Sequence, residues 1–176
     1  MPKNLYYIHG MDSSPQGFRS VYLKERHPFI RIPALPNDVE ERHRILTREI
    51  EGPAYVIGNS LGGLSTLRFV EEFPQRVARM VLLAPAVGFF DPQFNTPEIL
   101  DAVNRLVIPA QIPTAVIAAI NDEVIPIQAV ESLVLRSPEC HRIRFFKLPD
   151  SHLLHEPASL DVMNREVDLM LAADPD

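Results

Sequence analysis

Ser60 lies in the stretch AYVIGNSLGGL, residues 54–64, with Gly58 and Gly62 two positions to either side. The 176-residue chain holds only 7 glycines, and three of them, Gly58, Gly62 and Gly63, fall within six positions of this stretch. The first half is apolar and β-branched like a buried strand, and the second half reads as the start of a helix. The pattern is therefore G-x-S-x-G on a strand-to-helix turn. A turn that tight strains the serine backbone and brings neighbouring segments so close that side chains at 58 and 62 would collide. It lifts the hydroxyl clear of the sheet, and the new helix aims its first N–H groups at the same spot, where a forming oxyanion would be stabilised. This is the chemistry of a covalent nucleophile. A phosphate loop does not fit, because GNSLGG lacks the G-x-G-x-x-G spacing and no Gly-Lys-Ser/Thr follows.

A serine hydroxyl needs a base, and the base needs an orienting group. With a serine elbow on a parallel sheet the order along the chain is serine, acid, histidine. AAINDEVIP places Asp122 just after one strand candidate, and LPDSHLL places His152 just after the next. Glu123 and Asp150 are alternative acids and His155 an alternative base. Side chains one apart diverge, so only one of Asp122 and Glu123 can face the histidine, and His155 lies where a turn or helix carries it away. Asp122 and His152 are the better assignment. His152 and His155 make no metal site, since H-x-x-H here has no third ligand pattern. YYIHGMDSSP ends the first strand candidate: after the His9-Gly10 corner the N–H of Met11 can turn inward and, with the N–H of Leu61, form an oxyanion hole. The His9 side chain reads as a brace for that loop. Ser13 and Ser14 are poor nucleophile candidates, Ser14 being a helix N-cap.

The elements that must position these residues alternate from end to end. Strand candidates are Lys3–Ile8, Phe29–Pro33, Ala54–Gly58, Arg79–Ala84, Thr114–Ala119 and Arg142–Leu148, too apolar to have one face in water, as parallel strands covered on both sides are. Between them, Leu160, Met163, Val167 and Met170 give Ser159–Ala172 one apolar face, and Val39, Leu46 and Ile50 do the same for Asp38–Glu51, with His43 at the edge of that stripe. Thr96-Pro97 and Ser14-Pro15 each read as an N-cap with proline at the first helical position. Six strands joined by helices predict an α/β fold with a parallel sheet, and right-handed crossovers put every strand-to-helix loop at one edge, where ligands bind. No internal repeat or domain boundary interrupts the pattern, so residues 1–176 are expected to form a single domain.

The totals narrow the field. A net charge of −6, with no run of Lys or Arg longer than two, gives no footprint for nucleic acid or an anionic membrane. No stretch approaches a membrane span, and MPKNLYYIHG is not a signal peptide. The single Cys140 excludes an intrachain disulfide and fits a reducing compartment, so a cytoplasmic protein is expected. The 17 prolines are scattered singly, as punctuation between elements.

HGMDSSP, GNSLGGL, LLAPA, NDEVIP and SHLLHEP together resemble the α/β-hydrolase superfamily, and HGMDSSP with the short chain is most similar to its small YqiA-like bacterial esterases. The resemblance implies a three-layer α/β/α fold with a six-stranded parallel sheet in the order 2-1-3-4-5-6, lacking the first antiparallel hairpin. It implies Ser60 as nucleophile, Asp122 as acid and His152 as base, with Met11 and Leu61 as backbone donors and no cofactor. The expected function is hydrolysis of small acyl esters or thioesters through an acyl-enzyme. A non-catalytic binding protein on the same fold, and a serine acyltransferase or peptidase, are the other classes. The insertion Gly88–Pro109 is too short for a full cap domain. Its Phe89, Phe90 and Phe94 are candidates for an acyl pocket, while Ile99 and Leu100 are expected to pack as core.

Overall fold

The computed structural model describes residues 4–88 and 96–173. Among these residues five strands, β1 (Leu5–Ile8), β2 (Ala54–Asn59), β3 (Val77–Leu83), β4 (Thr114–Ala119) and β5 (Arg144–Leu148), form one sheet in the order β1-β2-β3-β4-β5. Every pairing is parallel. Among the described residues six α-helices accompany them: α1 (Phe18–Arg26), α2 (Val39–Glu49), α3 (Leu61–Glu72), α4 (Pro97–Arg105), α5 (Ile127–Arg136) and α6 (Pro157–Ala172).

The strands are apolar on both faces because both faces are covered. Tyr6 and Ile8 point to one side, where they join Leu46 of α2, Leu67 of α3, Val103 of α4 and Leu133 of α5. Leu5 and Tyr7 point to the other, with Leu23 of α1 and Met163, Val167 and Met170 of α6. The period of two along β1 thus divides the core into two layers around the sheet. β5, at one edge of the sheet, is the exception: Arg144 and Lys147 are exposed and its three apolar residues only half-buried.

The expected sixth strand, Phe29–Pro33, is not formed. Arg31 makes a single parallel bridge to Tyr6, donating to the Leu5 carbonyl at 2.8 Å and accepting from Tyr7 N–H at 2.9 Å. Before it, Ile30 N–H closes a turn on the His27 carbonyl. After it, Pro33 has no N–H for the next rung, so the ladder cannot extend. The sheet order is therefore five-stranded, with the bridge beside β1 where the extra strand was expected.

The helix starts show where capping chemistry was legible. Thr96 accepts from Ile99 N–H at 3.4 Å and Asp38 from Glu41 N–H at 2.7 Å. Ser14 does not cap α1, which begins later behind Gly17. Ser14 instead closes a turn, its hydroxyl accepting from Gln16 N–H and its carbonyl from Gly17 N–H and the Ser20 hydroxyl. His43 lies half-buried at the core edge, stacked on Phe73 and bonded to Glu72 at 2.8 Å. Among the described residues no helix is long and apolar enough to cross a membrane.

Candidate active site

β2 ends at Asn59, and Ser60 turns the chain into α3 with φ 52° and ψ −117°, a left-handed conformation that a serine adopts only when its surroundings hold it there. They do: the Ser60 carbonyl accepts from the N–H groups of Gly63, Leu64 and Ala86, and its N–H donates to the Leu83 carbonyl. The glycines are required by space. A β-carbon on Gly58 would stand 2.6 Å from the Thr66 hydroxyl and 2.9 Å from the Gly62 carbonyl oxygen. One on Gly63 would stand 2.8 Å from Pro85, which accounts for the third glycine of the run.

The loops after β2, β4 and β5 bring three predicted residues together. His152 Nε2 lies 3.0 Å from Ser60 Oγ, and His152 Nδ1 lies 3.0 and 2.9 Å from the two carboxylate oxygens of Asp122. With Nδ1–H donating to Asp122, Nε2 is left to accept the serine proton. The Asp122 side chain is 2% exposed and that of His152 15%. Asp122 Oδ1 also accepts from the N–H groups of Val124 and Ile125, at 2.8 and 2.7 Å, which fixes the carboxylate plane.

The rival acids have other positions. Glu123 Oε2 accepts the backbone N–H of His152 at 3.1 Å. That N–H, the residue's own N–H and the nearby imidazole hold the Glu123 carboxyl below its ordinary range. Asp150 is buried: burial pushes its carboxyl up, but bonds from the Ser159 side chain and the N–H groups of Glu156 and Ser151 outweigh it and leave the group below its usual value. His155 is exposed, 3.7 Å from Asp150, and has no bond to Ser60. Among the described residues no group of three His, Cys, Asp or Glu could hold a metal ion.

On the β1 side, Met11 N–H and Leu61 N–H donate to no protein acceptor among the described residues. The peptides that carry them are held by their carbonyls instead: the Ser60 carbonyl by three N–H groups, and the Gly10 carbonyl by the ring of buried His9 at 2.9 Å. Leu35 N–H donates to His9 Nε2 at 3.3 Å, so Nδ1 carries the proton it gives to Gly10. His9 is thus the loop brace that the sequence suggested.

Sequence reasoning missed two buried arginines. Arg19 of α1 donates to the carbonyls of Leu153 and Leu154, immediately after His152. Arg42 of α2 donates to the His9 carbonyl. The signal was positional: Arg42 is three residues after Val39 and four before Leu46, and Arg19 is four before Leu23, so both lie in register with core residues.

A cavity of about 1070 Å³ opens beside Ser60, with Leu61, Leu64, Val103 and Ile125 in its apolar wall and Phe18, Ile99, Val124 and Leu153 at exposed positions around it. Ile99 is 45% exposed and lines this cavity, so it does not pack as core as expected. Phe89, Phe90 and Phe94 lie outside the described residues.

The sequence model of the serine hydrolase family matches residues 36–136, a span that includes Ser60 and Asp122 and stops before His152. Over 77 residues the chain is 32% identical to the 2-hydroxy-6-oxo-6-phenylhexa-2,4-dienoate hydrolase of Comamonas testosteroni, a match that covers 39% of this chain and only 26% of that enzyme. Among solved structures, mouse α/β hydrolase domain-containing protein 10 aligns with a TM-score of 0.75 at 16% identity, over 96% of this chain and 89% of that one. A monoacylglycerol lipase from Paleococcus ferrophilus aligns at 0.74 and 14%, over 96% and 93%. At such identities these likenesses establish the α/β-hydrolase fold.

Proposed function

The chain belongs to the serine hydrolase family, and from that premise we propose that it cleaves ester or thioester bonds of small acyl substrates through a Ser60–His152–Asp122 triad and an acyl-enzyme. The observation that carries this reading is the continuous contact from Ser60 Oγ through the two nitrogens of His152 to the Asp122 carboxylate. His152 takes the Ser60 proton as Oγ attacks the acyl carbonyl, while Asp122 holds the ring and the charge it acquires. The oxyanion settles on the N–H groups of Met11 and Leu61, each worth about 3–4 kcal/mol at the transition state. His152 then passes its proton to the departing alcohol or thiol. Water attacks the acyl-enzyme with His152 as base again, releasing the acid and free Ser60.

The cavity supports this reading of the substrate class. Its apolar wall suits an acyl chain, and its polar partners at Ser60 suit one carbonyl. Residues 1–176 act as one domain in this reading, without a cofactor, and the lone Cys140 agrees with the cytoplasm.

The test is intact mass after treatment with a serine-reactive fluorophosphonate, with the modified peptide sequenced. A single adduct on Ser60, absent from Ser60→Ala and His152→Ala, is expected. No adduct on folded protein would turn the reading to a binding protein that keeps the fold without turnover.

A further inference from the structure

Arg42 is an anomaly in α2. It is the largest fully buried side chain of the chain's described residues, and its guanidinium has no carboxylate partner among them. Burial alone pulls it down to about 10. A cation buried without a counter-ion is costly, and a well-packed neutral side chain would serve stability as well or better.

Its donors go to three places. One terminal nitrogen donates to the His9 carbonyl, the other to the Pro36 carbonyl at 2.8 Å, and Nε to the Ser65 hydroxyl at 2.9 Å. Ser65 passes the contact on, donating to the Leu61 carbonyl at 2.8 Å. The planar fork therefore joins the β1 loop, two residues before Met11, to the first turn of α3, which begins at Leu61. Those two segments carry the Met11 and Leu61 N–H groups, neither of which meets a protein acceptor among the described residues. A flexible point charge such as lysine could not hold three acceptors in one plane.

We infer that Arg42 is the positioning residue of the oxyanion hole: its guanidinium fixes the Met11 and Leu61 donors relative to each other and places an uncompensated positive charge behind them. This rests on the Ser60 nucleophile proposed above. The arginine then acts only as negative charge develops on the substrate oxygen, so it contributes to the transition state and little to substrate binding.

The experiment compares wild type with Arg42→Met, Arg42→Lys and Ser65→Ala, using a neutral short-chain ester and a trifluoromethyl ketone as transition-state analogue, well below each variant's melting temperature. Expected for Arg42→Met is a loss in kcat of about 100-fold with KM nearly unchanged, matched by an equal loss in affinity for the ketone. Arg42→Lys keeps the charge without the fork and should lose about 10-fold, and Ser65→Ala a few-fold. Folded variants with wild-type kcat and ketone affinity would overturn the inference, as would losses confined to KM. If Arg42→Met does not fold, Arg42→Lys and Ser65→Ala decide by the same criteria. A wild type that neither turns over the ester nor reacts with the fluorophosphonate would instead remove the nucleophile, and the inference with it.

Discussion

Gly62 lies against the carbonyl oxygen of Ile8: a β-carbon there would stand 1.8 Å from it. The first turn of α3 thus touches the last residue of β1, and so the strand that delivers the Met11 loop and the helix that starts at Leu61 meet through one missing methyl group. Gly62→Ala must push the two apart. It is expected to cost at least about 1–3 kcal/mol of stability and to remove turnover beyond what the loss of fold explains. Gly52 has nothing within 4 Å of its would-be β-carbon. Gly52→Ala should therefore stay within about 0.5 kcal/mol of wild type. Thermal melts and ester turnover on both variants check the pair.

Asp122 and Glu123 both touch His152, but at different atoms, and substitution separates them. In Asp122→Asn the amide keeps an oxygen for Val124 and Ile125 and turns its NH₂ toward His152 Nδ1, imposing the wrong tautomer. A loss of about 10⁴-fold in kcat is expected. Glu123→Gln keeps an oxygen for the His152 N–H and should change kcat by less than about 5-fold. Equal losses in the two would make Glu123 part of the machinery.

Stability should fall on the acid side of neutrality. Burial holds His9 below its ordinary value; the bond to Gly10 opposes this and the Arg42 charge adds to it. Burial likewise lowers His27, with Asp168 opposing and Arg26 adding. Both are bases depressed in the folded state, so the unfolded chain takes up protons first as pH drops below about 6.5. Their contribution is complete above that value and lost as pH falls toward the folded pKa values. Asp150 opens a lower window, its stabilisation persisting above about pH 4 and vanishing as pH falls through its depressed folded value. Urea midpoints from pH 7.5 to 5 should decline in wild type and decline less in His27→Gln. A flat wild-type curve would contradict the assignment.

Arg19 fixes the far side of the site. Its bonds to the Leu153 and Leu154 carbonyls hold a loop in which Leu154 has φ 47°. Arg19→Met leaves both carbonyls without that donor, at about 1–3 kcal/mol for each buried group. Displacing His152 by a fraction of an ångström should lower kcat about 10- to 100-fold. Amide exchange at Leu154, which donates to Ser151, should accelerate in the same variant.

The parts legible in the sequence were those with a short-range signature. Gly58, Gly62 and the apolar run before them announced the elbow, and the strand ends before Asp122 and His152 announced which residues could reach it. The missing parts depend on distant neighbours. Phe29–Pro33 has the composition of a strand, but pairing needs a donor at Pro33 that proline does not have. Ser14-Pro15 has the pattern of a helix start, yet its hydroxyl closes a local turn and α1 begins behind Gly17. Arg19 and Arg42 carry charge that speaks for the surface, and only their register with core residues hinted otherwise. Which carbonyls they would reach is decided by the packing of α1 and α2 on the sheet.

The half-exposed edge strand β5 has a further consequence during synthesis. Ser60 and His152 are 92 residues apart, and the imidazole is delivered only after β5 pairs with β4. A nascent chain can fold its elbow from β1, β2, β3 and α3 long before residue 152 leaves the ribosome. In the proposed mechanism the serine stays an ordinary alcohol until that last pairing, so an emerging chain would be shielded from electrophiles by being incomplete. In the finished protein, a local opening of the outermost strand would return it to that inert state while the rest of the sheet stays folded.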